Sequence, residues 1–426
     1  MHNNWDVVIV GGGLAGFVVA NFLSRSTLSV LLIERSKRVG GRAKTDNIKK
    51  NYFNAGPHAL YKGGRAVPIL EQLNIKIEGQ SPKTSGLLVE EGAFYEAPFS
   101  PQGLLTSSYF SWKERIEWLK TLKALTKTTP DLLKDTTFQQ WVEQATSNKK
   151  VQSLLFTLGR LATYCHSPEK SSAYVIVSHM KCALRGVIYQ DRGWQTIIDQ
   201  LHNKAIMAGV HVQTQVALKQ FARHNNGSFR IDLSNGEVIH GKNLLYTGEP
   251  SELNYLIEEK EVEPINSAIQ NRTPVKAAVL DVALKKLPNE KRLFAMGVTA
   301  PFYYSVHSKY ASLSEDGQSN VLHVLKYHQL DERINSSAVQ EELEQFLEMI
   351  QPGWKKHEIT SRYLPQIIVN QRLPQLGDES ELIRSETKIH GLYIAGDWAS
   401  PHSILAEGAV CSGKQAAEEI IQKEMR

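Results

Sequence analysis

Cysteine is scarce in this 426-residue chain, which contains only Cys165, Cys182 and Cys411. No two of them form a C-x-x-C motif, and an odd number cannot complete a disulfide framework. This usage is typical of proteins from a reducing compartment, so we expect a cytoplasmic protein.

Long hydrophobic runs are also absent. No stretch of about 20 apolar residues is available to cross a bilayer as a helix, and the first apolar segment lacks the basic flank and cleavage site of a signal peptide. With 42% hydrophobic and 22% charged residues, the chain has the composition of a globular protein. Its length, without a repeat or a low-complexity linker, predicts two intertwined domains.

The positive charge is not concentrated in one part of the chain. The formal net charge is +5, but Lys and Arg are spread along the whole chain, so we expect no nucleic-acid partner, while an anionic lipid or substrate stays open. No HExxH motif, Cys/His ligand spacing or Ser-His-Asp arrangement stands out. The sequence therefore gives no indication of a bound metal or of a hydrolase triad.

The first 34 residues predict a dinucleotide-binding unit. An apolar run over 5–10 has the size of a buried strand, and 17–24 has the pattern of a helix. Between them, Gly11 allows a tight turn, Gly13 admits a pyrophosphate to the backbone N–H groups, and Gly16 lets the helix pack against the sheet. The candidate contacts in this loop are Gly11, Gly13, Leu14, Ala15 and Gly16.

An acid stands at the expected distance from the glycine loop. A second apolar run over 28–33 ends at Glu34, eighteen residues after Gly16, where a carboxylate can bind both ribose hydroxyls. An acid at this place argues against a 2′-phosphate, and the neighbouring Arg35 is a further candidate contact. A purely structural glycine turn is the alternative, and the motif alone does not separate NAD from FAD.

A second glycine pair follows in Arg38-Val-Gly-Gly-Arg42. This pattern resembles the flavin amine oxidase / phytoene desaturase / protoporphyrinogen oxidase superfamily of FAD-dependent oxidoreductases. The resemblance implies that Gly40 and Gly41 approach the FAD pyrophosphate and that Arg42 supplies charge to it; a solvated surface arginine is the alternative for Arg42. No cysteine lies just before Gly391, where some relatives attach the flavin, so we expect non-covalent FAD.

Two further segments match this superfamily in the same order. Residues 54–60 resemble the segment that passes near the flavin ring, with Gly56 and His58 as contacts. An ordinary hydrogen-bonded loop histidine is the alternative for His58. Val216 stands where relatives use a valine backbone to hold the adenine.

The closing segment completes the resemblance. Residues 391–397 read as a strand that ends in Gly396 and Asp397, and 407–413 lead a helix over 414–423. By resemblance, Asp397 binds the ribityl or pyrophosphate region. Gly408 and Ala409 would present backbone N–H groups to the flavin pyrimidine, where reduced flavin gains negative charge.

The predicted fold class is α/β, with a Rossmann-like FAD-binding domain (a parallel sheet plus a β-meander) interwoven with an α+β substrate domain. We assign 1–62, 190–265 and 375–426 to the FAD-binding domain. The substrate domain takes 63–189, expected to be mostly helical, and 266–374, expected to hold its sheet.

Residues 111–125 predict a basic amphipathic helix. The apolar positions Trp112, Ile116, Leu119, Leu122 and Leu125 recur at helical spacing, with lysines and arginine between them. One interpretation places this stripe in the protein core. The other places the helix on a membrane surface, which would make the protein membrane-peripheral.

The sequence indicates the reaction and the substrate less clearly than it indicates the cofactor. Amine oxidases of the superfamily often carry an aromatic residue three positions before the final Gly-Ala, where this chain has Leu405. Residues 395–398 and 406–410 look closer to carotene- and squalene-desaturase-like sequences. We therefore favour removal of two electrons, as hydride to flavin N5, from a largely apolar small molecule, with a flavin amine oxidase or a non-catalytic flavin-fold binding protein as alternatives.

No catalytic residue is assigned from the sequence, and no oligomeric state follows from it. His166 or His179 is a candidate proton carrier. Candidates for an aromatic wall around the substrate are Trp194, Trp398, Tyr303 and Tyr304.

Overall fold

Two seven-stranded sheets organise the fold, and each takes strands from distant parts of the chain. The computed structural model describes residues 3–225, 227–258, 269 and 272–425. The predicted domain boundary at 265/266 lies outside them.

The helices have these bounds. They are α1 (Leu14–Leu23), α2 (Ala66–Gln72), α3 (Pro101–Thr106), α4 (Trp112–Lys127), α5 (Phe138–Ala145), α6 (Lys149–Thr163), α7 (Ala173–Leu184), α8 (Gln195–Met207), α9 (Ser336–Ile350), α10 (Asp378–Glu381) and α11 (Leu405–Glu424). Among the described residues, no helix is both long enough and apolar enough to span a membrane.

The strands are shorter on average. They are β1 (Asn4–Val10), β2 (Val30–Glu34), β3 (Thr45–Ile48), β4 (Asn51–Asn54), β5 (Leu60–Tyr61), β6 (Gly79–Gln80), β7 (Leu87–Glu90), β8 (Ala93–Glu96), β9 (Val187–Gln190), β10 (His211–Thr214), β11 (Leu218–Arg223), β12 (Phe229–Leu233), β13 (Val238–Tyr246), β14 (Val275–Leu284), β15 (Phe294–Gly297), β16 (Phe302–Ser305), β17 (Asn320–Tyr327), β18 (Glu358–Asn370) and β19 (Leu392–Ile394).

The first sheet has the order β10-β2-β1-β13-β12-β11, with β19 also paired to β13. Strands β10, β2, β1, β13 and β19 run parallel, whereas β11, β12 and β13 form an antiparallel meander. Strand β2 is buried along its whole length, as expected for a parallel strand covered on both faces. The predicted fold class, a parallel sheet plus a β-meander, is confirmed.

The second sheet has the order β18-β14-β17-β16-β15-β7-β8. One face packs against α9 through Val339, Leu343 and Phe346. The opposite face packs towards α6 and carries Tyr303 and Leu325. Because successive strand residues point to opposite faces, neighbours on the same strand meet different surroundings.

The chain passes repeatedly between the regions of the two sheets. The first sheet uses residues from 4–34, 211–246 and 392–394, and the second uses residues from 87–96 and 275–370. A small sheet of β5, β9 and β6 lies where the chain passes between them. The exact domain boundaries remain predictions.

Helix α4 differs from the core-stripe interpretation. Trp112, Ile116 and Leu119 are 70%, 54% and 50% exposed, whereas Trp118 and Leu125 are buried. The helix has one broad apolar side and buries the part with Trp118, whose indole N–H donates to the Pro98 carbonyl at 3.1 Å. The expectation that the whole stripe lies in the core is therefore wrong.

Helix α11 begins at Leu405 rather than at residue 414. Its interior glycines allow close packing instead of ending the helix. A Cβ at Gly408 would lie 2.8 Å from the Asp397 carbonyl oxygen, and one at Gly413 would lie 2.9 Å from that of Ala15. The helix therefore packs closely against α1 and against the end of β19.

Candidate active site

A single large cavity connects the first sheet with the second. Its volume is about 1130 Å³, above the roughly 300–1,000 Å³ that is typical for a drug-sized ligand. We call its two parts the nucleotide arm and the chamber. The nucleotide arm is lined by Gly11, Gly13, Glu34, Gly41, Arg42, Val216, Asp397 and Ala409, and the chamber by Trp118, Leu122, Leu158, Leu161, Met180, Leu184, Tyr303 and Tyr327.

The glycine loop joins β1 to α1 at the nucleotide arm. Gly11 has φ +109°, and a Cβ there would lie 2.4 Å from Thr247 Oγ1. A Cβ at Gly16 would lie 2.0 Å from the Gly11 carbonyl oxygen, so the helix packs close to the strand as the sequence predicts. A Cβ at Gly13 would meet no atom within 4 Å. Gly13 lines the cavity with Leu14 and Ala15, so its missing side chain leaves space at the positive end of α1.

Glu34 is fixed at the carboxyl end of β2. Its Oε2 accepts a hydrogen bond from the Gly12 N–H at 2.8 Å, and its Oε1 accepts one from the Ser36 N–H at 2.8 Å. These two bonds hold the carboxylate at the cavity wall. The adjacent Arg35 is exposed and lies 3.5 Å from Glu252, so its cationic head faces an acidic partner at the mouth of the nucleotide arm.

The second glycine pair lies against the first glycine loop. The Gly40 N–H donates to the Gly12 carbonyl at 2.7 Å. Both Gly40 (φ +125°) and Gly41 (φ +55°) adopt left-handed backbone conformations, and a Cβ at Gly41 would lie 3.4 Å from Gly13 Cα. The two motifs therefore form one glycine-rich surface on the cavity.

Arg42 and Asp397 form a two-point ion pair across the cavity wall. The guanidinium donates to Asp397 Oδ1 at 2.5 Å and to Oδ2 at 2.7 Å, and Oδ2 also accepts from the Gln371 N–H at 2.9 Å. The Arg42 side chain is 45% exposed and that of Asp397 is 3% exposed. Arg42 is thus not simply a solvated surface arginine. Its contact with a pyrophosphate remains a prediction.

Three predicted contact glycines support the fold behind the cavity. Among the described residues, the cavity lining excludes Gly16, Gly56 and Gly408. Gly56 has φ +85°, and a Cβ there would lie 2.9 Å from a methyl group of Val279. These glycines allow close packing, whereas Gly396 and Ala409 do line the cavity.

Val216 lines the nucleotide arm, but its N–H is already engaged. This N–H donates to the Glu34 carbonyl at 3.0 Å. An adenine contact through the Val216 backbone would therefore have to use the carbonyl group.

His58 lies on the cavity wall with both ring nitrogens near carbonyls. Nδ1 is 3.1 Å from the Gly56 oxygen, and Nε2 is 3.2 Å from the Arg42 oxygen. Burial lowers the pKa of His58 below its ordinary value, so the neutral ring donates to one of these carbonyls at a time. Its edge-on contact with Trp194, at 5.1 Å between centroids, fixes the ring further.

Two of the four candidates for an aromatic wall line the cavity. Trp194 and Tyr303 line the cavity, but Trp398 donates its indole N–H to the Gly248 carbonyl at 3.0 Å within the core of the first sheet. Tyr304 points to the α9 face of the second sheet. The alternation of side chains along β16 places Tyr303 and Tyr304 on opposite faces.

The two proton-carrier candidates lie away from the cavity. Neither His166 nor His179 is among the described lining residues. Burial lowers the pKa of His166 to about 4 and that of His179 to about 4. His179 Nε2 accepts the Ile404 N–H at 3.2 Å, which gives this ring a structural role at the start of α11.

Sequence reasoning missed His307, which lines the chamber beside Tyr303. The two rings are four positions apart, and Tyr303 Oη lies 3.2 Å from His307 Nε2. The only signal in the sequence is this short spacing, because the other neighbours of His307 come from distant strands. Among the described residues, no group of three or more His, Cys, Asp and Glu side chains is arranged to hold a metal.

The donor set of the nucleotide arm fits FAD. The space over Gly13 accepts a pyrophosphate at a helix N-terminus, Glu34 is placed for ribose hydroxyls, and the start of α11 can face an isoalloxazine. When bound there, FAD supplies the two-electron chemistry. No described lining residue is a cysteine, in agreement with non-covalent binding.

Comparison with known proteins supports the same family. The family described as "Flavin containing amine oxidoreductase" matches residues 14–421. The chain is 23% identical to the carotenoid 3,4-desaturase of Haloarcula japonica over 300 residues, which cover 61% of this chain and 58% of that protein. The chain thus matches less than two thirds of the length of this curated relative.

Two solved structures share the fold along the whole chain. An oxidoreductase from Methanosarcina mazei is 16% identical with a TM-score of 0.74, covering 98% of this chain and 99% of that chain. A putrescine oxidase variant is 15% identical with a TM-score of 0.75, covering 99% and 100%. Together with the family match over residues 14–421, these findings show that the chain belongs to the flavin-containing amine oxidoreductases, a family of FAD-dependent oxidoreductases.

Proposed function

We propose that this protein is a desaturase-like FAD-dependent oxidoreductase that removes a hydride from a largely apolar small molecule. The observation that carries the proposal is the apolar surface of the chamber. Leucines of α4, α6 and α7 line the chamber, together with Trp118, Met180 and Phe294. A wall of this kind binds a substrate through burial of apolar area rather than through charge.

The tyrosines of the chamber keep it neutral. Tyr61 donates its hydroxyl to the Ala162 carbonyl at 2.5 Å, and Tyr164 donates to the Pro57 carbonyl at 2.7 Å. Burial raises the pKa of both phenols above the ordinary value of 10.0. Their hydroxyls are therefore uncharged and already hydrogen-bonded.

A substrate ammonium would find each carboxylate of the cavity already engaged by a protein group, and of Glu407 only Oε1 is without a hydrogen-bond partner. Each acidic side chain that lines the described cavity already has a partner, either a backbone N–H or an arginine. Glu249 is included, because it lies 3.8 Å from Arg35. These carboxylates are Glu34, Asp46, Glu249, Glu252, Asp397 and Glu407. The charge pattern therefore favours an apolar substrate over a cationic amine.

Leu405 supports the same choice. It lines the cavity at the start of α11, at the position where amine oxidases of this superfamily often carry one aromatic wall of a cage. An aliphatic side chain provides no π-face for an amine nitrogen. The desaturase relative is in line with this preference, whereas the putrescine oxidase shares the fold alone.

An absorbance spectrum and anaerobic titrations test the proposal. Purified protein is titrated with an isoprenoid polyene precursor and, separately, with a panel of amines, while oxidised flavin absorbance is followed. Bleaching by the polyene precursor supports the desaturase-like function, and bleaching by an amine alone overturns it in favour of an amine oxidase. A protein that neither contains nor binds FAD would support the non-catalytic alternative.

We also propose that the chamber receives its substrate from a lipid surface. The exposed side chains of Trp112, Ile116 and Leu119 lie one or two turns apart on α4. Lysines at 113, 120, 123 and 127 are exposed around them. This combination fits a bilayer with anionic headgroups.

The acids of α4 do not oppose such a contact. Glu114 accepts the Ser111 N–H at 2.7 Å in the capping box, and Glu117 accepts the Thr146 hydroxyl at 2.9 Å. Both carboxylates are therefore engaged with neighbouring protein groups.

The chamber reaches the surface close to this helix. Leu122 of α4 and Leu184 of α7 both line it, and Leu184 is 51% exposed. Lys181, in the last turn of α7, donates to the Thr128 carbonyl at the end of α4 at 2.7 Å. An apolar molecule leaving a bilayer beside α4 would therefore meet the chamber mouth.

A further inference from the structure

A buried series of polar groups runs behind the chamber wall. Asp281 of β14 and His323 of β17 face each other in the strand register, and both are completely buried. His323 Nδ1 lies 2.6 Å from Asp281 Oδ1. The other carboxylate oxygen accepts from Arg362 Nη2 at 2.6 Å, so the negative charge of Asp281 is compensated.

The series continues to His307 at the cavity. The rings of His323 and His307 are 4.5 Å apart between centroids, at 77°. His307 also stacks on Tyr189 at 3.7 Å. Its Nε2 is 3.2 Å from the Tyr303 hydroxyl, and His307 and Tyr303 both line the chamber. The order from the interior to the cavity is Asp281, His323, His307, Tyr303.

The hydrogen bond to Asp281 fixes which nitrogen of His323 is the donor. A carboxylate only accepts, so His323 donates from Nδ1, and Nε2 is its remaining ring nitrogen. Among the described residues, this Nε2 has no hydrogen-bond partner. It belongs to a buried ring whose centroid lies 4.5 Å from that of His307.

His307 itself is a neutral base. Burial lowers the pKa of His307 well below 6.5, with His323 and His58 adding in the same direction. Burial raises the pKa of Tyr303 well above 10. At neutral pH both groups are uncharged, and in the His307 tautomer with its proton on Nδ1 the Tyr303 hydroxyl donates to His307 Nε2, which is the arrangement of a hydroxyl backed by a general base.

We infer that Tyr303 and His307 take up the proton released when the substrate is oxidised. FAD, when bound, would accept the hydrogen of one substrate C–H bond together with both electrons of that bond. As the new double bond forms, a neighbouring C–H, N–H or O–H bond releases its proton to Tyr303 Oη. The Tyr303 proton moves to His307 Nε2, which becomes an imidazolium, so atoms and electrons balance.

His323 and Asp281 act as positioning residues behind this pair. The Asp281 carboxylate holds the His323 ring through Nδ1, and this ring lies edge-on to the His307 ring that becomes positive. The inference depends on the flavin oxidation that the family performs. It does not depend on whether the substrate is a polyene precursor or a protonated amine, because the oxidation of either releases one proton.

The experiment compares Tyr303→Phe and His307→Ala with the control Tyr304→Phe. Tyr304 is the next residue on β16, and its hydroxyl donates to the Arg292 carbonyl on the opposite face of the sheet. Flavin reduction is followed anaerobically in single turnovers with whichever compound bleaches the wild-type flavin. We expect the rate constant to fall about 100-fold in the two chamber variants, as for loss of a general base, and to stay unchanged in the control.

Imidazole rescue separates a chemical role from a structural one. Added imidazole should restore part of the rate to His307→Ala and none to Tyr303→Phe. Asp281→Asn should lower the rate about 10-fold and change its pH profile, while flavin content stays at the wild-type level. Equal rates in His307→Ala and wild type, or a loss that imidazole does not relieve in folded, flavin-loaded protein, would overturn the inference.

A readout without turnover uses histidine-labelled protein in NMR. Tyr303→Phe should shift the His307 ring signals, and Asp281→Asn should remove a strongly downfield proton from His323 Nδ1–H. Unchanged His307 signals in Tyr303→Phe would overturn the inference even when no compound bleaches the flavin. An amine that bleaches the flavin would instead refute the desaturase-like function and leave this proton path standing.

Discussion

Gly13 is a residue at which the space for the cofactor can be filled without disturbing the fold. Its φ of −88° is accessible to any residue, and a Cβ there meets no atom within 4 Å. We expect Gly13→Val to fold but to lose FAD, because the isopropyl group occupies the place of the pyrophosphate at the start of α1. Flavin absorbance per protein and circular dichroism measure the two properties, with Gly13→Ala expected to retain an intermediate amount. Full flavin occupancy in Gly13→Val would refute this cofactor position.

Asp397 gives a graded test of the same site. In Asp397→Asn the carboxylate charge that pairs with Arg42 is lost, while the side chain keeps its size. Hydrogen bonds to charged groups contribute about 1.5–3 kcal/mol, so we expect FAD to bind the variant about 10- to 100-fold more weakly. Titration of the apoprotein with FAD measures this affinity.

Asp6 provides the matched control for Asp397. It lies on β1, pairs with Lys242 at 2.6 Å and is not among the described residues that line the cavity. Asp6→Asn should therefore leave the affinity for FAD unchanged. Equal affinities of the Asp397→Asn variant and the wild type would rule out a role of this carboxylate in cofactor binding.

Whether a predicted site residue reaches the cavity depends on how local its signal in the sequence is. Gly11 and Gly13 reach the cavity because a strand-turn-helix motif fixes their surroundings within a few residues. A glycine elsewhere in the sequence indicates only that a Cβ would not fit. It does not indicate whether the neighbouring atom belongs to the protein or to a cofactor. At Gly56 that atom belongs to Val279, more than 200 positions away. His307 was missed for the same reason, since Tyr189 and His323 come from other strands.

Among the elements, α2 depends on a cap supplied by another helix. The N-cap residue Arg65 makes no side-chain capping bond; instead Glu407 of α11 accepts the N–H groups of Arg65 at 2.7 Å and Ala66 at 2.9 Å. We expect Glu407→Ala to lower the free energy of unfolding by about 2 kcal/mol, since two buried N–H groups lose their acceptor. Urea unfolding measures the loss.

The pH dependence of stability separates the effect of the Glu407 charge from the effect of its hydrogen bonds. Burial raises the pKa of Glu407 above its ordinary value of 4.5. Between the ordinary pKa and the raised one, the folded state binds more protons than the unfolded state, so this group's contribution to stability falls as the pH rises. Glu407→Gln keeps an acceptor without the charge. Its stability relative to wild type should therefore be more favourable at pH 8 than at pH 4, and the reverse trend would contradict the assignment.

Helix existence was predictable at α4, but its orientation was not. Apolar residues at helical spacing predict a helix because they share a face. The apolar side of this helix is broad, and the buried part of it is the part with Trp118, whose indole N–H donates to the Pro98 carbonyl. At α11 the glycines misled the prediction of the start, because in an exposed helix they would be breakers, whereas here they allow contact with α1.

For the whole molecule, the order of motifs along the chain was enough to predict the fold class. A β-α-β unit at the start and a strand-helix unit at the end can share one parallel sheet only if the chain returns to it, and β19 does pair with β13. The second sheet was less predictable, because β7 and β15 are about 200 residues apart and pair in parallel. Pairing over such a distance leaves no local pattern in either segment.

The exposed face of α4 predicts how the whole molecule meets a lipid bilayer. We expect the protein to sediment with vesicles that contain anionic lipid, and the double substitution Trp112→Ser with Leu119→Ser to weaken this binding about 100-fold. Burial of a large apolar side chain contributes at least about 1.5 kcal/mol, so two such losses correspond to about two orders of magnitude. High salt should weaken the remaining attraction of the lysines.

Tyr255 is a suitable control for this surface, because it is 88% exposed but lies in the connection after β13, outside α4. Tyr255→Ser should bind vesicles as the wild type does, and neither variant should change flavin content. If the α4 variant and the control bind equally well, the lipid contact lies elsewhere. If the wild type ignores anionic vesicles, an apolar substrate must reach the chamber through water or from a carrier protein, and the lipid-surface proposal fails.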